Sequence, residues 1–197
     1  MLNLAVLISG EGTNLQEIID HCEKGSLNAV VKAVISNNPN ANGLGRAKKH
    51  NINTYLSNND RELITHLEKV NADLIVCAGW LKVLSNAVLE AFPNKIINLH
   101  PALPGSHIGL NCIKKAWDNR LNVNSSGVMI HWVTQELDRG DYINVQRVPI
   151  YRTDNYEDFE SRMRTAEKQV LINTIRMIQE TSYVGNNISK GEKYEHV

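Results

Sequence analysis

The segment Leu2–Ile8 is an apolar, β-rich run that ends on Ser9 and Gly10 and passes straight into helical spacing at Leu15, Ile18, Ile19 and Cys22. A short unbroken apolar run of this kind reads as a strand buried on both faces, as in a parallel sheet covered by helices. The glycines in Gly10-Glu11-Gly12-Thr13-Asn14 make the turn between strand and helix. This strand, loop and helix order limits the fold more than any total does, because parallel strands need crossover helices. The helix start presents free N–H groups and the positive end of its dipole, which suits an anion such as phosphate. Thr13 is placed to cap the helix and offer a hydroxyl. A plain strand-to-helix turn is the other reading. No Lys follows the glycines and a third glycine is missing, so this is neither a P-loop nor a dinucleotide fingerprint.

The pattern continues. Ala29–Ile35 reads as a second strand, closed by the turn-rich Ser36-Asn37-Asn38-Pro39-Asn40. A short helix is expected over Leu44–His50, a third strand over Ile52–Leu56 and a helix over Asp60–Val70, with Leu63, Ile64 and Leu67 on one face. Asp73–Ala78 (DLIVCA) is another fully apolar strand, followed by Gly79-Trp80-Leu81-Lys82-Val83-Leu84, and then a short helix over Asn86–Ala91. Later come a helix over Asn111–Trp117, a polar loop to Ser125, a strand over Gly127–Val133 and a polar turn over Thr134–Asp141. Ile143–Ile150 reads as an edge strand, because Pro149 cannot donate to a ladder. A long helical pattern spans Asn155–Thr181, and an irregular tail with room for one short strand follows Tyr183. Strands and helices alternate early, whereas strands joined by polar turns dominate late. The expected fold is α/β: a doubly wound, mostly parallel, Rossmann-like sheet with an antiparallel edge. We read 1–197 as a single domain, with a phosphate-binding half (1–93), a catalytic half (94–183) and a tail (184–197).

Asn94–Gly109 (NKIINLHPALPGSHIG) carries the densest chemical signal. Pro101 and Pro104 stop the strand, and Asn98 and His100 share one face through the period of two. An amide and an imidazole thus leave one strand end together, where open α/β sheets place their chemistry. The alternative is a satisfied core histidine beside a turn asparagine. A loop carboxylate such as Asp138 would raise the proton affinity of His100. Asn98 and His100 could both donate to a developing oxyanion. No G-x-S-x-G is present, and Cys77 lies inside an apolar run, so direct attack by a substrate amine fits better than covalent catalysis. His100, His107, His131 and Asp138 lack metal-site spacing, so no metal is expected. His131 reads as a packed strand histidine.

Totals exclude some classes. Lys+Arg and Asp+Glu are both 21, so no net field recruits nucleic acid or an acidic membrane, and neither partner is expected. No apolar run nears the length of a membrane span. The start lacks a charged n-region, and the three cysteines are far apart, which reads as reduced thiols in a cytoplasmic protein, a monomer or homodimer.

The ordered segments LAVLISGEGTNLQ, VISN, CAGWLKVLS, INLHPALPG, VMIHWVTQELDRGDYI and RTAE resemble the folate-dependent phosphoribosylglycinamide formyltransferases of purine synthesis, over roughly Asn3–Met177. The resemblance implies attack by the amine of glycinamide ribonucleotide on the formyl carbon of 10-formyltetrahydrofolate, the cosubstrate, with no metal. It implies that Asn98, His100 and Asp138 are catalytic, with Asp138 holding His100 protonated. Gly12, Thr13 and Asn14 match the loop that holds the substrate phosphate. Glu167, with Arg164, Thr165 and Ala166 beside it, matches the segment that binds the same substrate. Leu81, Lys82, Val83 and Leu84, together with Asn98 and Thr134, Gln135, Glu136, Leu137 and Asp138, match the folate pocket. Three departures stand out. Residues 52–63 are fewer than usual in the family, Ala102-Leu103-Pro104-Gly105 replaces a common Ser-Leu-Leu-Pro, and Arg139 and Asp141 occupy a turn that is often glycine and proline. Other folate formyltransferases, acting on an amino sugar or on methionyl-tRNA, a formyltetrahydrofolate hydrolase and a silent nucleotide-binding module are the competing readings.

Overall fold

The computed structural model describes residues 1–184. Its seven strands are β1 (Leu2–Ile8), β2 (Ala29–Ser36), β3 (Asn53–Leu56), β4 (Leu74–Cys77), β5 (Ile96–His100), β6 (Ser125–Trp132) and β7 (Tyr142–Pro149). They form one sheet in the order β3-β2-β1-β4-β5-β6-β7. The first five pair in parallel, and β6 and β7 add as antiparallel strands. Pro149 accordingly lies on an edge strand.

The helices are α1 (Thr13–Glu23), α2 (Asn42–Lys49), α3 (Asp60–Val70), α4 (Asn86–Ala91), α5 (Cys112–Asp118) and α6 (Tyr156–Val184). Each follows its strand through an apolar stripe that the sheet buries. Leu15, Ile18 and Ile19 of α1, Leu44 and Ala47 of α2, Ile113 and Ala116 of α5, and Phe159, Met163 and Val170 of α6 pack with Val6, Val34, Val76, Ile97 and Ile130 on one face. The other face holds Leu63 and Leu67 of α3 and Val88 of α4 against Ala5, Leu7, Ile35, Ile75, Cys77 and Ile96. Asn98 and His100 follow Ile96 at period two and belong to this second face. Its helices α3 and α4 share a cluster with β2, β1, β4 and Ile96 at the start of β5, and at the far end of β5 Cys112 of α5 comes up against His100.

Departures from expectation concern boundaries, most by one or two residues, such as α2, which starts at Asn42 rather than Leu44. β6 begins at Ser125 rather than Gly127, because Ser125 and Ser126 gain ladder partners in Pro149 and Val148. The last helix runs on to Val184. The expected tail over 185–197 lies outside the described residues. No helix among the described residues is long and apolar enough to cross a membrane.

Candidate active site

Antiparallel pairing sets the centre of the site. Asn98 of β5 stands directly opposite His131 of β6. Opposed residues project to one face, and the Asn98 Nδ2 lies 3.1 Å from the His131 Nε2. The His131 Nδ1 is 2.9 Å from the Trp132 carbonyl, which can only accept. The neutral ring therefore carries its proton on Nδ1, and its bare Nε2 accepts from the Asn98 amide. His131 is buried as expected of a packed strand histidine, but it also belongs to the cluster and orients Asn98. Sequence reading placed it on a strand and could not see which β5 residue it would oppose.

Asp138 arrives from the loop between β6 and β7. Its φ is 54°, a left-handed conformation that Asp tolerates better than most residues. One carboxylate oxygen accepts the Gly109 N–H at 2.9 Å. The other lies 3.4 Å from the Asn98 Nδ2, 3.5 Å from the His100 Nδ1 and 3.7 Å from the His131 Nε2. Asn98, His100 and Asp138 thus converge, and Gly109 joins them through a backbone N–H that residue type alone does not reveal. Gly140, two residues on, explains the tight course of the loop, since a Cβ there would lie 1.8 Å from the Trp132 carbonyl oxygen.

The proton on His100 departs from expectation. Burial drags its proton affinity below the ordinary histidine value, and the His107 carbonyl and the Asp138 carboxylate oppose this without reversing it. The His100 Nε2 donates to the His107 carbonyl at 2.7 Å, so in the neutral ring the bare Nδ1 faces Asp138. A proton arriving there is shared by two acceptors. Hence Asp138 raises the proton affinity of His100 without offsetting burial, and the ring's bound N–H already serves a backbone carbonyl. The long 3.4 Å contact from Asn98 to Asp138 is the donor most readily taken over by a substrate oxygen. For Asp138 itself burial is the largest influence and would raise it, but the His131 ring when charged, the Gly109 N–H and the charge of His100 outweigh burial and hold it below the usual carboxylate range.

Cys112 lies 3.7 Å from the His100 Nε2, yet its thiol donates to the Gly109 carbonyl at 3.0 Å and burial raises its proton affinity. A packed thiol of this kind is a poor nucleophile. The fully buried Cys77 is pushed up to about 12.

A second cluster lies at the start of α1. Gly12, with φ 68°, occupies the N-cap position and no side chain caps the helix, so Thr13 is an exposed first-turn residue rather than the expected cap. Gly12 needs to be glycine, because its Cβ would fall 2.6 Å from the Gly43 Cα of α2. The Asn14 Nδ2 lies 3.4 Å from a Glu167 oxygen of α6, and the Arg164 Nη1 is 3.2 Å from both Glu167 oxygens. Glu167 is only 3% exposed. Burial raises its proton affinity even with Arg164 and Asn14 beside it. Glu167 therefore meets Asn14 and Arg164 braces Glu167, whereas the Thr165 hydroxyl donates to the Ser161 carbonyl and Ala166 packs in the core.

The third set follows β4 and β6. Leu81 and Val83 are 62% and 65% exposed, and Leu137 is 47% exposed, so apolar surface faces outward from both segments. Leu84 is buried, and the Lys82 Nζ reaches the Asn58 carbonyl at 3.3 Å. Thr134, Gln135 and Glu136 are exposed, and the Thr134 hydroxyl donates to the Glu136 carbonyl.

Comparison with known proteins adds an independent line. Residues 2–175 match the family described as Formyl transferase. A phosphoribosylglycinamide formyltransferase of Dictyostelium discoideum is 40% identical over an alignment that covers 89% of this chain and 97% of the relative. The Escherichia coli protein of the same name is 35% identical, with 86% of this chain and 83% of the relative covered. Among solved structures, glycinamide ribonucleotide transformylase 1 from Symbiobacterium toebii superposes with a TM-score of 0.85 at 32% identity, over 92% of this chain and 89% of that one.

Proposed function

The chain belongs to the formyl transferase family, and from that premise we propose how its residues carry the formyl group of 10-formyltetrahydrofolate to the amine of glycinamide ribonucleotide in purine biosynthesis. The reaction needs three things: an oxygen held as it becomes negative, a place for the amine's proton, and two substrates kept in line. Asn98 meets the first need. His131 fixes the amide through one N–H, and the other turns from Asp138 to the formyl oxygen as the amine attacks. The pair of His100 Nδ1 and Asp138 meets the second. The attacking nitrogen gives up its proton there, and the same proton passes to N10 of the folate as the tetrahedral carbon collapses and the C–N10 bond breaks.

Positioning falls to the remaining residues. Gly12, Thr13 and Asn14 receive the ribonucleotide phosphate at the start of α1, and the Glu167 carboxylate, with Arg164 beside it, faces the amine-bearing side. The exposed Leu81, Val83 and Leu137 suit the flat pterin, which needs apolar walls with backbone hydrogen bonds at the rim. The observation that carries this reading is the convergence of Asn98, His100 and Asp138 within 3.4 to 3.5 Å, latched by the Gly109 N–H. A spectroscopic assay of formyl transfer tests it, with glycinamide ribonucleotide set against water alone. Release of tetrahydrofolate only when the amine is present supports the transferase. Equal release with water would make the chain a hydrolase, and none with either would make it a silent module.

A further inference from the structure

Ser9 lies at the end of β1, at the point where the strand order reverses between β2 and β4. It is 6% exposed and satisfies every hydrogen-bonding group it owns. Its N–H donates to the Gly79 carbonyl at 2.9 Å, and its own carbonyl accepts from the Asn38 amide at 3.0 Å. Its hydroxyl donates to the Asn37 Oδ1 at 2.7 Å and accepts the Leu81 N–H at 2.9 Å. The side-chain amide of Asn37 thereby sets the direction of the hydroxyl, turning a lone pair towards Leu81.

Trp80 and Leu84 pack into the core, but the backbone between them in the segment 79–84 has little else to hold it. Among the described residues, the backbone hydrogen bonds that tie it to the rest of the chain are the Gly79 carbonyl and the Leu81 N–H, and both go to Ser9. Leu81 and Val83 are mostly exposed, so core packing does not fix where their backbone runs. Ser9 also directly precedes the Gly10–Asn14 loop.

We propose that Ser9 is the positioning residue for the formyl-donor pocket: its hydroxyl fixes the Leu81 peptide and with it the apolar wall that receives the folate. This rests on the reading of Leu81–Leu84 as folate-lining. A residue next to the phosphate loop thus governs the other substrate. Loss of the hydroxyl leaves the loop's own bonds intact and frees the wall.

The test compares Ser9→Ala with the parent in steady-state formyl transfer, each substrate varied in turn. The Michaelis constant for 10-formyltetrahydrofolate should rise about 3- to 10-fold, the worth of one buried hydrogen bond, while that for glycinamide ribonucleotide stays within about 2-fold. Ser9→Thr, which keeps the hydroxyl, should recover most of the loss. Asn37→Ala removes the acceptor that aims the hydroxyl and should shift the folate constant in the same direction. It decides the matter if Ser9→Ala does not fold. Equal rises for both substrates, a rise for the amine alone, or no change would overturn the role of Ser9. Val83→Asp separates this from the wider reading. If it weakens folate while Ser9→Ala does not, only the Ser9 proposal fails; if Val83→Asp has no effect on folate, the pocket assignment itself fails.

Discussion

Gly140→Ala tests the site through a residue with no polar side chain and no substrate to touch. A Cβ at position 140 would sit 1.8 Å from the Trp132 carbonyl oxygen and 3.1 Å from the Thr134 Cγ2. The closest comfortable carbon–oxygen approach is about 3.3 Å, so loop and strand must separate by about 1.5 Å. The Trp132 N–H also pairs with the Asp141 carbonyl, which resists that separation. Asp138 is two residues away, and its 2.9 Å bond to Gly109 and 3.5 Å approach to His100 cannot survive a shift of that size. Strain from overpacking costs about 1–3 kcal/mol, which for a chain of this length lowers the melting temperature by about 3–10 °C. The larger effect is on rate. Misplacement of a catalytic group by about 1 Å costs on the order of 100-fold, so kcat should fall by that factor at temperatures where circular dichroism still reports a folded protein. A folded Gly140→Ala protein with kcat within a few-fold of the parent would refute the claim that this loop's course sets Asp138.

Four further outcomes follow from the same geometry. His100→Ala should lower kcat by about 100-fold or more, measured by single-turnover formyl transfer, and a loss of only a few-fold would remove His100 from the proton path. Asp138→Asn should spare folding, lower kcat and move the acid limb of the kcat/KM profile to lower pH, since the carboxylate raises His100 and its loss leaves only the His107 carbonyl to oppose burial; an unmoved limb would break the pairing. Asp138 and His100 both bind protons less readily folded than unfolded. Their contribution to stability is therefore complete above the unfolded histidine value of about 6.5 and lost as pH falls through the folded values, so the melting temperature should decline from there into acid, and a flat profile would contradict this. Glu167 has the opposite sign: its raised proton affinity stabilises the fold in acid, and that contribution is lost as pH rises through the folded value. Glu167→Gln should thus melt no lower than the parent at neutral pH, while the Michaelis constant for the amine substrate rises about 10-fold and that for folate does not; equal changes for both would remove Glu167 from the amine site.

The parallel half of the fold was legible because its signals are local. Leu4–Ile8 and Leu74–Ala78 are buried on both faces, and the glycine loop after β1 marks the turn into α1 without reference to distant residues. The pairing of Asn98 with His100 was legible for the same reason, since period two needs no partner strand. The rest depends on long-range register. His131 becomes part of the site only because β6 runs antiparallel to β5 with His131 opposite Asn98, and one residue of slip would have turned it to the other face. The Gly109 N–H and the hydroxyl of Ser9 act through backbone geometry, on which residue type is nearly silent. The balance at His100 is not legible in sequence, which proposes the carboxylate neighbour but not the depth of burial that opposes it.

Over β2, β1 and β4 the second face is sealed by α3 and α4, but around Asn98, His100 and His131 it is closed by connecting segments and by Cys112 at the start of α5. On the proposed roles, the strands supply Asn98, His100 and His131, while connections supply Asp138 and the apolar surface that receives the formyl donor. Grafting a different connection between β6 and β7, with the aspartate and the glycine beside it retained, would change the wall offered to the formyl donor without disturbing a single core residue.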